Sequence, residues 1–213
     1  MLGAEEFISA IKRETGVYLG SGMTPEEWAE GVRRMEGGRR YTFDYAPYQL
    51  EPYREIYNPE NQVTVLAMFS RGGKTEIVAN AIGYSIEQEP RRIIVGYPSQ
   101  EQAEDFSKDN FSTQLIEPTP ELSDLIPVGE GRRIANQTIR SKAFPGGKVD
   151  FAGLNVAGKL RKLKGDFLYA DEIDSITEEA SDEGDKIEIL FKRGEEFEDP
   201  IKVLTSYPSM SGR

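Results

Sequence analysis

The chain has 213 residues, of which 38% are apolar and 30% charged, and a net charge of −11. With roughly 150 residues in a common domain, this length fits one large domain with an N-terminal appendage rather than two full domains. Cysteine and histidine are both absent. That excludes disulfides, Cys/His zinc sites, Ser-His-Asp and Cys-His nucleophiles and any histidine proton shuttle, so chemistry has to rest on carboxylates, Lys, Arg and hydroxyls.

The most apolar stretches, 63–70 and 77–86, fall short of the ~18 apolar residues a membrane span needs, and Glu5 and Glu6 stand where a secretory signal would be basic. No membrane partner is expected, and a reducing cytosolic compartment is the default.

Residues 1–44 read as a helical lead-in. Phe7, Ile8, Ile11 and Val17 recur near helical spacing, and Thr24-Pro25-Glu26-Glu27 is a capping box with Pro at the first helical position. Trp28, Val32 and Met35 form an apolar stripe, and Gly37-Gly38 is expected to end that helix. A further helix over 47–57 leads into a domain spanning 45–213. Short β-branched runs at 63–69, 92–97, 167–170 and 201–205 alternate there with helical patterns, which predicts an α/β fold with a central, mainly parallel sheet. Pro145-Gly146-Gly147, between runs at 137–144 and 148–152, predicts a hairpin added antiparallel at a sheet edge.

Directly after the first run comes Ser70-Arg71-Gly72-Gly73-Lys74-Thr75, then a helical pattern over 76–87. In a phosphate-binding (Walker A) loop, glycines let backbone N–H groups converge on phosphate oxygens. The helix N-terminus adds positive potential, the lysine reaches the β/γ-phosphates and the hydroxyl ligates Mg²⁺. The pattern G-x-x-x-x-G-K-[ST] would need glycine where this chain has Met68, so the loop is a variant, and alone it also fits a Gly-Gly turn opening an ordinary helix.

The run 167–170 ends in Asp171-Glu172, the strand-end position where P-loop enzymes place their Mg²⁺-associated (Walker B) acid. Asp171 would serve the metal, and Glu172 would orient and deprotonate the attacking water. An acidic helix cap is the alternative, since Asp174, Glu178 and Glu179 follow. Both motifs in order, each on its expected strand end, favour a nucleotide triphosphatase using ATP and Mg²⁺. The run 201–205 ends in Thr205-Ser206, hydroxyls that can sense a γ-phosphate, although alone the pair also fits a plain strand-to-turn transition.

Residues 131–164 carry nine basic side chains (Arg132, Arg133, Arg140, Lys142, Lys148, Lys159, Arg161, Lys162, Lys164) against the single acid Asp150, and 165–199 carry fourteen acids against Lys186, Lys192 and Arg193. The basic block suits sequence-indifferent contact with DNA phosphates, or equally pairing with the acidic segment.

The order of motifs resembles the lambda-type large terminase subunit of tailed phages, over roughly residues 45–213. The match runs through Tyr48-Gln49, Ser70–Thr75, Asn80, Ile82-Gly83-Tyr84, Tyr97-Pro98-Ser99 and Phe144-Pro145-Gly146-Gly147. It continues through Asp171-Glu172-Ile173-Asp174, Gly184-Asp185, Arg193 and Thr205-Ser206-Tyr207-Pro208. The resemblance implies a P-loop NTPase fold of the ASCE type and ATP hydrolysis coupled to moving double-stranded DNA into a procapsid. The implied partners are a portal protein and a small terminase subunit, with a homo-oligomeric ring on the portal, in the cytoplasm of an infected bacterial host.

Carried over by position, Ser70 through Thr75 form the nucleotide site, with Arg71 and Lys74 on phosphates and Thr75 and Asp171 on Mg²⁺. Glu172 is catalytic, Tyr48-Gln49 sit where adenine is recognised, and Thr205 and Ser206 belong to the coupling motif. An arginine from a neighbouring subunit is also implied, with Arg132, Arg133, Arg140 and Arg161 as options. The nuclease that usually follows in the family has no counterpart in these residues, so no cleavage activity is expected from them. Two other readings stay open: an assembly or docking module that holds nucleotide with little turnover, and a helicase-like DNA translocase.

Overall fold

The Thr24 side chain accepts from the Glu27 backbone N–H while the Glu27 carboxylate accepts from Thr24 N–H at 2.8 Å, so the capping box forms as its sequence predicts. It opens α1 (Pro25–Gly31), which places Trp28 and Ala29 in the core. The computed structural model describes residues 22–127, 137–155, 157–176 and 185–207. The expected first helix, Arg132, Arg133, Glu178, Glu179, Gly184 and Pro208 lie outside the described residues.

Helix α1 ends at Gly31, six residues before the expected Gly37. Gly37 and Gly38, both with positive φ, instead form the turn of a small loop closed by an Arg34–Arg40 bridge, a conformation glycine adopts without steric cost. A 3₁₀ turn (Pro47–Gln49) runs into α2 (Leu50–Ile56). Strand β1 (Thr64–Ala67) then leads through the glycine loop into α3 (Lys74–Glu87), the most buried helix.

After β2 (Arg92–Tyr97), helix α4 (Gln100–Phe106) passes without a break into a π-helical segment (Ser107–Ile116), and α5 (Pro120–Leu125) follows. Strands β3 (Gln137–Thr138), β4 (Ser141–Phe144) and β5 (Gly147–Gly153) precede α6 (Ala157–Leu160), β6 (Phe167–Ala170), α7 (Lys186–Phe191) and β7 (Ile201–Ser206).

The seven strands form one sheet in the order β1-β7-β6-β2-β5-β4-β3. The pairs from β1 to β5 are all parallel and the last two antiparallel. The predicted hairpin is present, with Gly146 at φ 84 after Pro145, but its second arm is not an edge addition. Strand β5 pairs along its length with β2, which puts Val149 to Gly153 inside the sheet, where they are buried. The run 137–144 is broken at Ile139-Arg140 into β3 and β4, which alone form the antiparallel margin.

Successive strand residues point to opposite faces. Ile93, Val95, Phe167, Tyr169 and Val203 face α1, α2, α3 and the π-helical segment, while Ile94, Leu168, Ala170 and Leu204 face α6 and α7. Because β1, β7, β6 and β2 run parallel, their C-terminal ends share one margin, where ligands sit in open α/β sheets.

Candidate functional site

Four strand ends meet at that margin: the loop 68–73 after β1, Tyr97 closing β2, Asp171-Glu172 after β6 and Thr205–Tyr207 at the end of β7. The loop takes its shape from two residues with positive φ, Arg71 at 61° and Gly73 at 83°. Gly72 N–H donates to Phe69 carbonyl at 3.0 Å. Gly73 caps the start of α3, and a Cβ there would lie 1.9 Å from Gln49 Nε2, so any other residue would be strained at this positive φ and would have to displace that amide. Met68, in place of the pattern's glycine, extends the β1–β7 ladder through its N–H to the Ser206 carbonyl.

Lys74 is 5% exposed. Its ammonium donates to the Met68 carbonyl at 2.9 Å and sits 3.7 Å over the Tyr207 ring. Burial pushes its pKa down, against the nearby carboxylates of Asp171, Glu172 and Asp174, which favour the charged form. Ser70 and Arg71 are exposed, and Thr75 is the second residue of α3.

Asp171 is held from both neighbouring strands. Its Oδ2 accepts from the Tyr97 hydroxyl at 2.8 Å, and its Oδ1 accepts from Glu172 N–H at 2.8 Å and from the Thr205 hydroxyl. Tyr169 hydroxyl lies 3.2 Å from Thr205 Oγ1, extending the buried network. Glu172 has left-handed backbone, φ 49, an uncommon conformation outside glycine. Gln102 Nε2 donates to its carboxylate at 3.3 Å. Burial, then the charge of Asp171, raises the Glu172 pKa. The next acid, Asp174, accepts from Ser206 Oγ at 2.5 Å and Tyr207 N–H at 2.9 Å, tying the end of β7 to the turn after β6.

The expected adenine pair divides. Gln49 is buried, donates from Nε2 to the Gly72 carbonyl at 3.2 Å and accepts at Oε1 from Tyr41 hydroxyl at 2.8 Å, so its amide supports the phosphate loop. Tyr48 is 50% exposed, with its ring 5.9 Å from that of Phe69, and borders a cleft of about 360 Å³ shared with Pro52 and Met68.

A bound Mg²⁺ is what the residue types imply, and the donor set fits one. A carboxylate offers about four lone-pair sites, and Asp171 has three filled by hydrogen bonds, leaving capacity at Oδ2. Carboxylate and hydroxyl oxygens are the hard ligands Mg²⁺ prefers, and it takes only one or two from protein when phosphates supply others.

Of the expected residues, the structure links Asp171, Glu172 and Thr205 by hydrogen bonds and places Lys74 within reach of the charges of Asp171 and Glu172. Arg140 instead pairs with Glu104 at 2.7 Å. Tyr41, Gln102, Tyr97 and Tyr207 had no role assigned from the sequence. Tyr97 and Tyr207 carry the signal of a polar residue closing or following an apolar strand, and Tyr41 and Gln102 carry none.

Fold and site together define an α/β protein of the P-loop type. A family model, "Phage terminase large subunit gpA, ATPase domain", matches residues 37–213. The chain belongs to that family. It is similar to the terminase large subunit of Enterobacteria phage P21, at 26% identity over 195 residues, 89% of this chain and 30% of that protein. Its fold is similar to part of the HK97 bacteriophage large terminase, with a TM-score of 0.64 at 15% identity over 88% of this chain and 38% of that one. The chain thus spans well under half the length of either relative.

Proposed function

We propose that this chain hydrolyses ATP at the margin formed by β1, β6, β7 and β2, and that hydrolysis drives double-stranded DNA into a phage procapsid. The observation that carries the reading is the convergence of Lys74 on the acid pair: its ammonium sits in the field of Asp171, Glu172 and Asp174 although it lies 97 residues from Asp171 in sequence.

In this reading the backbone N–H groups of 70–73 and the N-terminus of α3 receive the β- and γ-phosphates. Lys74 exchanges the Met68 carbonyl and the Tyr207 face for phosphate oxygens, and exposed Arg71 adds a second positive charge. Tyr48 offers the base a stacking face, and Gln49 keeps the loop in shape. Thr75 and Asp171 would hold Mg²⁺, which would supply neutralisation of phosphate charge. Glu172 accepts a proton from water as that oxygen bonds to the γ-phosphorus and the bond to the β-bridging oxygen breaks, releasing ADP and phosphate. Asp174, bonded to Ser206 and Tyr207, carries movement of the acid turn into the end of β7. Portal protein, small terminase subunit, a ring of copies and the host cytoplasm belong to the same proposal.

Steady-state ATP hydrolysis across a wide range of protein concentration, with and without double-stranded DNA, tests it against a Glu172→Gln blank. A rate above the blank that climbs with concentration is expected of a site completed between subunits. Tight ATP binding with turnover no faster than the blank under every condition favours the docking-module reading, and strand separation favours the helicase-like one.

A further inference from the structure

Tyr97 closes β2, and its ring is fixed before its hydroxyl does anything. It packs against Phe106 at 5.2 Å and Tyr169 at 6.4 Å between centroids and is 8% exposed. The strand registers place Gly96 opposite Ala170, so the residue after each, Tyr97 and Asp171, project from adjacent strand ends. Asp171 N–H also donates to the Gly96 carbonyl at 2.9 Å, which locks the two strand ends in register.

The three hydrogen bonds on the Asp171 carboxylate are unequally shared. Oδ1 takes two, from Thr205 and the Glu172 backbone, and Oδ2 takes only the one from Tyr97. The oxygen with spare capacity is therefore the one whose direction a single phenol sets. A phenol carries its proton at neutral pH, and here it points that proton at Oδ2 from 2.8 Å.

We propose that Tyr97 is a positioning residue for Asp171: its hydroxyl, presented by the end of β2, aims the carboxylate oxygen that serves Mg²⁺ beside the nucleotide. This rests on the reading of Asp171 given under Proposed function. Outer-shell partners that orient ligating carboxylates are worth about 10–100-fold in metal affinity or activity. Removal of the hydroxyl therefore acts on Mg²⁺-dependent binding and spares binding that needs no metal.

The test is calorimetric titration with ATP in a Glu172→Gln background, where the nucleotide is not consumed, once in excess Mg²⁺ and once in EDTA. Tyr97→Phe is expected to weaken binding about 10-fold in Mg²⁺ and to leave the EDTA value unchanged. Tyr57→Phe removes a hydroxyl that bonds the Ala81 carbonyl at 2.7 Å, outside the Asp171 network, and should change neither.

Equal affinity for Tyr97→Phe and its parent in both buffers overturns the inference. So does an equal loss in both, since that marks a general effect on packing. If Tyr97→Phe unfolds, Thr205→Val, which strips a donor from Oδ1 and leaves the phenol on Oδ2, is expected to keep its Mg²⁺-dependent affinity, and a loss of about 10-fold confined to Mg²⁺ overturns the assignment of that role to Tyr97. A parent protein whose ATP affinity ignores Mg²⁺ sinks the metal role of Asp171 itself, an outcome distinct from a Mg²⁺-sensitive parent with an unaffected Tyr97→Phe.

Discussion

At Lys74, a cation that should meet phosphate is already held by the protein, by the Met68 carbonyl and the Tyr207 ring. A cation over an aromatic face gains from about 0.5 kcal/mol at an exposed site to about 2 kcal/mol when desolvated, and nucleotide has to displace that contact. With Lys74 buried, Tyr207→Leu is accordingly expected to tighten ATP binding, by up to about 30-fold on that figure, and Lys74→Ala to abolish it; equilibrium titration reads both. Asp174 offers a pH signature. Its pKa lies below the ordinary 3.8, chiefly because Ser206 hydrogen-bonds the carboxylate. A depressed carboxylate contributes stability that is fully present above 3.8 and is lost as pH falls through the folded value. The Tm difference between wild type and Asp174→Asn should therefore be largest near neutrality and shrink toward pH 3, and a constant difference across that range would falsify the bond's electrostatic role. Lys74, Thr75, Asp171 and Glu172 were legible in the sequence because each sits in a contiguous motif whose residue types have one shared chemical use. Tyr97, Gln102 and the direction of Gln49 were not, because they act through neighbours on other strands or loops, and periodicity carries no information about which strands are adjacent.

Among the elements, α3 is the most buried helix, and α1 packs directly on it. A Cβ on Gly83 would lie 2.3 Å from Trp28 Cη2, so the indole lies directly on the α3 backbone. Gly83→Ala should cost about 1–3 kcal/mol, as overpacking does, and Trp28→Ala about 3–5 kcal/mol, both measured by denaturant unfolding. The first follows from close approach, even though alanine ordinarily favours a helix over glycine. The capping box, the strand at 92–97 and the turn at Pro145-Gly146 were legible because each is decided locally, by a cap, an unbroken apolar run or a pair of turn residues. The end of α1 and the place of β5 were not. Gly31 is followed by a loop whose Arg34 is fixed by Thr119, far away in sequence, and β5 carries the local pattern of a hairpin arm while its other edge belongs to β2.

For the whole molecule, net charge is a poor guide, because the structure uses part of the basic block internally. Arg140 pairs with Glu104, Lys148 with Asp150 and Lys164 with Glu196. Lys159, Arg161 and Lys162 are exposed, and no acid among the described residues pairs with them. If the DNA reading holds, Lys159→Glu, Arg161→Glu and Lys162→Glu together should weaken duplex binding regardless of sequence and lower the salt slope by about one per lost phosphate contact, whereas Arg140→Glu should do less; fluorescence anisotropy across a potassium chloride series distinguishes them. The sheet has a further asymmetry. The strand that leads into the phosphate loop is its outermost parallel member, bonded to β7 alone among the described strands, with Val65 54% and Phe69 59% exposed. Backbone amides with a single bonded neighbour open to solvent most readily, so β1 should lose its protons to heavy water sooner than β2 or β6 in the empty protein. Nucleotide that clamps the loop from above would slow that exchange in β1 while leaving the interior strands as they were, so the margin of the sheet would record occupancy in its rate of isotope uptake.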